Sequence, residues 1–125
     1  MLSIILLAGC TASQTSQTLE TGVEPTGEKH MIDITPDGFS PRMSSIKVGD
    51  TLVFVNKDAS PHWPASNIHP THGVYPDKGG CIGSKFDACR ELDTGGAYEF
   101  TFLHEGNWCF HDHLNAELTG CVDVQ

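Results

Sequence analysis

From His30 onward, apolar and polar side chains alternate in short runs separated by Gly, Pro, Asp and Asn, and no stretch of a dozen residues carries a helical stripe. The pattern predicts an all-β domain. Met31, Ile32 and Ile34 mark a first strand that stops at Thr35-Pro36-Asp37-Gly38, where Pro and Gly occupy turn positions. Ile46 and Val48 lead into a second turn at Gly49-Asp50. Leu52, Val53, Phe54 and Val55 are apolar on both faces, as in a strand buried in the middle of a sandwich. Tyr98, Phe100 and Phe102, then Trp108 and Phe110, then Val122 and Val124 keep one parity and are expected to line one core. Between Pro61 and Gly96 the alternation dissolves into Pro, Gly, His and Cys, a loop region long enough to suggest function rather than connection.

The residues before this domain follow another logic. Met1 to Gly9 is a short apolar run that ends in small residues, and Leu7-Ala8-Gly9-Cys10 resembles the lipobox of bacterial lipoproteins. That resemblance implies a signal peptide over residues 1–9 and a lipid on the Cys10 thiol, although the usual Lys or Arg before the apolar run is missing. Residues 11–29 are mostly Thr, Ser, Gln, Gly and Glu and cannot repay the entropy of ordering, so residues 10–29 read as a lipidated cysteine with a polar tether. Acyl chains contribute ~0.8 kcal/mol per buried methylene and would anchor the protein without a spanning helix. The expected location is the extracytoplasmic side of a bacterial-type membrane, periplasmic or at the cell surface.

Composition narrows the partners. In 125 residues, 16 Asp plus Glu face 7 Lys plus Arg, a formal charge of -9. No basic stripe is left to neutralise phosphates, so nucleic acid is excluded as a partner. No Ser-His-Asp arrangement, phosphate loop or motif-bound carboxylate pair supports a hydrolase.

Ile46-Lys47-Val48-Gly49-Asp50, then Val53-Phe54-Val55-Asn56-Lys57-Asp58 and His62, resembles the front half of a cupredoxin. Gly106-Asn107-Trp108-Cys109-Phe110-His111-Asp112-His113 is similar to the H-x-H segment of multicopper oxidases, which are built of cupredoxin domains. Together the halves span roughly residues 31–124 and imply one Greek-key β-sandwich over residues 30–125. The resemblance makes His62 a copper ligand and brings the loops bearing His62, His69, His72, His111 and His113 to one end. It implies a single copper ion held chiefly by His62, His111 and His113, with His69, His72 or Asp112 completing the site. Asp112 stands where the small blue copper proteins carry cysteine and Leu118 where they carry the axial Met, so a blue thiolate site is not expected. His30 and His104 read as surface residues, and Trp63 either shields the site or packs in the core.

With Cys10 acylated, four cysteines remain in an exported chain, which favours disulfides. Cys81 and Cys89 share a loop, while Cys109 and Cys121 have the outward parity on neighbouring strands; the pairs expected are Cys81–Cys89 and Cys109–Cys121. The competing use of Cys109 is as a copper thiolate beside His113. Three function classes follow: a copper module that transfers electrons or holds and delivers copper to a protein partner, an oligomeric copper oxidase, or a metal-free structural or adhesive sandwich.

Overall fold

Eight strands form in chain order: β1 Lys29–Thr35, β2 Gly38–Ser40, β3 Met43–Ile46, β4 Thr51–Asn56, β5 Pro64–Ser66, β6 Ala97–Thr101, β7 Gly106–Asp112 and β8 Asn115–Val124. The computed structural model describes residue 9 and residues 22–125, so the signal before Gly9, Cys10 and most of the tether lie outside the described residues. Two four-stranded sheets result, ordered β2-β1-β4-β6 and β3-β8-β7-β5. The β1–β4 and β3–β8 pairs are parallel and the rest antiparallel.

The alternation read from the sequence is what fills the space between the sheets. Ile32 and Ile34 of β1, Leu52 and Phe54 of β4, Phe110 of β7, and Val122 and Val124 of β8 are buried there. Phe54 and Phe110 meet edge to face at 5.2 Å between centroids, which ties one sheet to the other. Of the seven side chains expected to share one core, Phe102, Phe110, Val122 and Val124 are fully enclosed, and Tyr98, Phe100 and Trp108 pack against its rim.

The segment between Pro61 and Gly96 does more than loop. Tyr75, Phe86 and Leu92 from it are completely buried in the core. Phe86 lies between Lys85 and Asp87, Leu92 between Glu91 and Asp93, and Tyr75 between Val74 and Pro76, so no two-residue alternation announces them. Ser66 N donates to Phe86 O at 2.7 Å, and Ala88 N to Pro64 O at 3.0 Å, so this segment lies along the short strand β5.

Both expected disulfides are present, Cys81–Cys89 and Cys109–Cys121. Cys109 and Cys121 are direct partners in the β7–β8 ladder, and Cys109 is therefore unavailable as a thiolate. The stretch from His111 to Thr119 is a hairpin: the ladder pairs His111 with Thr119 and Asp112 with Asn115, with a register shift between His111 and Asp112.

Candidate metal centre

Four imidazoles converge at one end of the sandwich. His111 ends the regular part of β7 and His113 lies just past it in the turn to β8. His69 and His72 come from a single hydrogen-bonded turn, closed by His72 N donating to Ile68 O at 2.8 Å, and their ring centroids lie 6.2 Å apart. His72 has a φ of 52°, a left-handed conformation rare for a residue with a side chain and of the kind that collects at functional sites. Asn67 O accepts from Val74 N at 2.9 Å and closes the loop from the other side.

The inward nitrogens follow from what holds the other ring atoms. His72 Nδ1 meets the Asp87 carboxylate at 2.7 Å, which leaves Nε2 facing inward, 3.0 Å from His113 Nδ1. His111 Nδ1 meets Asn67 Oδ1 at 3.0 Å, and its Nε2 lies 3.3 Å from His69 Nδ1. One ligand atom from each of His69, His72, His111 and His113 lies within 4.8 Å of every other. The Trp63 ring covers His113 at 4.6 Å between centroids. Trp63 Nε1 donates to Asp87 Oδ1 at 2.6 Å, so one carboxylate positions both the tryptophan and His72. His72 and His111 are buried, His113 is half-buried and His69 is exposed.

Electrostatics disfavour charge on two of these rings, His111 and His113. Burial, together with the neighbouring His72, His69 and His113, brings the His111 pKa down to about 4. His113 is lowered by burial and by His72 and His69. Neutral imidazoles present lone pairs, the form in which they ligate metals.

His62 and Asp112, expected among the ligands, stand outside this group and hold each other. His62 Nδ1 is 2.6 Å from Asp112 Oδ2, and its Nε2 is 2.8 Å from Asp58 Oδ2, so both ring nitrogens are engaged by carboxylates. Burial works against charge on His62, but the hydrogen bonds to Asp112 and Asp58 outweigh it and raise its pKa. Asp112 Oδ1 accepts from Trp63 N at 2.8 Å and Leu114 N at 3.0 Å, which fixes the turn that carries His113. His30 pairs with Asp50 and His104 with Asp77, both partly buried. Cys81, Asp87 and Cys89 form a second group of ligand types, but its sulfurs are joined in the disulfide and Asp87 is committed to His72 and Trp63.

The orienting residues Asn67 and Asp87 were not legible as such in the sequence, because each sits in irregular chain far from its histidine.

Among solved structures, the chain is similar to a purple cupredoxin from Nitrosopumilus maritimus, with a TM-score of 0.61 and 23% identity over 76% of this chain and 98% of that one. The fold is that of the cupredoxins. A tryptophan-to-tyrosine variant of amicyanin in its reduced state aligns with a TM-score of 0.61 and 21% identity, covering 80% of this chain and 84% of that one. A methionine-to-alanine variant of amicyanin in a Cu(I) form aligns with a TM-score of 0.59 and 21% identity over 76% and 80% of the two chains. No family model and no curated protein matches the chain. The cupredoxin sandwich brings β7 and the irregular segment around β5 to the same pole, where the histidines meet.

Proposed function

We propose that this protein is a copper module working outside the cytoplasm, holding one ion through His69, His72, His111 and His113 and passing an electron or the ion to a protein partner. The convergence of four inward ring nitrogens carries this reading. His72 Nε2 and His113 Nδ1 face each other at 3.0 Å, and His111 Nε2 and His69 Nδ1 at 3.3 Å. A cation satisfies all four lone pairs at once. Metal–imidazole bonds of ~2.0 Å imply nitrogen separations of roughly 3 Å between neighbouring ligands, in keeping with these distances. Imidazole suits copper in both oxidation states, and copper stands highest in the divalent affinity order. The amicyanin neighbours are described in reduced, oxidised and Cu(I) forms, which supports copper here. Bound there, copper would supply a one-electron couple. The residues of this chain do the rest: Asp87 and Asn67 aim two of the rings, Trp63 covers a third, and the aromatic core holds the two sheets in place.

The two disulfides support an oxidising compartment. Titration with Cu(II), followed by metal analysis and electron spin resonance, tests the reading. One copper per chain is expected, with the wide hyperfine splitting and weak ligand-field colour of an all-nitrogen site. An intense thiolate charge-transfer band, or failure to take up copper, would overturn it.

A further inference from the structure

The ligands are unequal in how they are held, and this inequality reaches beyond copper binding to the route by which copper leaves. His72 is tied by Asp87 at 2.7 Å and is fully buried. His111 is tied by Asn67 at 3.0 Å and is 2% exposed. His113 lies under the Trp63 ring, and its backbone N donates to Trp63 O at 2.7 Å. His69 has no such support. Its only hydrogen-bond contact among the described residues is His111 Nε2, on the inward side. Its outer ring nitrogen, Nε2, has no protein partner there. The ring is exposed, as are Ile68, Pro70 and Thr71 around it. A ligand whose far nitrogen is unanchored loses the orientation that a carboxylate or carbonyl normally gives a metal-bound imidazole.

Resting on the copper reading above, we propose that His69 is the exchangeable ligand of the site and that copper is handed to a partner protein by ligand substitution at that position. The partner presents an exposed imidazole. Its lone pair forms the new bond to copper as the His69 Nδ1–copper bond breaks. His69 leaves as a neutral ring, no electron is transferred, and His72, His111 and His113 follow in turn. The buried three keep the ion until the incoming donor has engaged, so release without a partner is slow. The excess of negative charge on this chain, -9, favours a partner with a basic surface.

The test uses Cu(II)-loaded protein with free histidine as the acceptor, following release by absorption and spin resonance. For the wild type, the release rate is expected to rise in proportion to histidine concentration. His69→Ala, altered at an exposed position, is expected to keep its fold by circular dichroism, still bind copper, and release it at least ~10-fold faster. Free imidazole should restore the wild-type spectrum of that variant by entering the open position. His72→Ala should instead lose copper affinity by more than His69→Ala does. A wild-type release rate independent of histidine concentration would overturn the proposal, as would equal losses of affinity in the two variants. Wild-type protein that takes up no copper would mean that the underlying copper reading has failed, a result separable from the other two.

Discussion

Asp112 lies between two histidines in the chain yet turns away from both. His111 and His113 join the imidazole cluster, while the intervening residue faces His62. The Asp112–His62 pair is enclosed, with the Asp112 side chain wholly buried. The H-x-H segment therefore carries both a pair of clustered imidazoles and a structural carboxylate. Its first half was legible in the sequence, and its second half was not, because the partner of Asp112 lies 50 residues away. His62 followed the cupredoxin strand as a ligand should, but Asp58, four residues earlier, captures its outer nitrogen. We expect His62→Leu to cost roughly 3 kcal/mol of stability, the scale for stranding one member of a buried charged pair. Copper affinity should change by less than the ~10-fold that losing an orienting partner costs. The pH dependence has a definite sign. The folded pKa of His62 is raised above its unfolded value, so its stabilisation is complete below about pH 6.5 and fades as pH climbs through the raised value. The gap in denaturation midpoint between the variant and wild type should follow that course. A gap that widens with rising pH, or loss of copper binding by the variant, would return His62 to the metal.

Between elements, the decisive contact joins two stretches of irregular chain. A Cβ on Gly83 would run into Thr71 O and would lie 3.3 Å from Gly73 N and from the carbonyl carbon of His72. The stapled loop from Cys81 to Cys89 thus presses its backbone directly onto the turn that presents His72, which only a residue without a side chain permits. Gly83→Ala should displace that turn and weaken copper binding by ~10-fold or more, the scale of a lost orienting contact, while the aromatic core and thermal midpoint change little. Isothermal titration beside thermal denaturation separates the two effects, and unchanged affinity would show that the contact does not govern His72. This dependence explains why the strands were readable and the site was only half so. β1, β6, β7 and β8 carry two-residue periodicity, and β4 is a continuous apolar run buried on both faces. β5 is three residues long and begins with Pro, and the loop around it is shaped by single contacts such as Phe86 in the core and Asp87 on His72. Alternation has nothing to say about contacts of that kind.

At the scale of the whole molecule, the resemblance gave the sandwich, while the end of the chain that bears the lipobox-like run stands outside the described residues. Intact mass of the protein recovered from a bacterial membrane fraction tests that end: acyl chains on Cys10 and loss of residues 1–9 are expected, and an unmodified thiol would remove the proposed anchor. The described chain enters the domain at a telling place. Thr26 N donates to Gly49 O at 2.9 Å and Thr51 N to Glu28 O at 2.9 Å, beside the turn where β4 begins. Val48 N donates to the final residue Gln125 at 2.9 Å, so both chain ends of the described domain gather at this pole. The histidines sit at the other, beyond the far end of β4 and β7. Six residues of β4 alone separate the poles by roughly 20 Å. The described upstream segment therefore meets the domain at the pole opposite the clustered histidines, so a hold on that segment would leave the histidine surface uncovered.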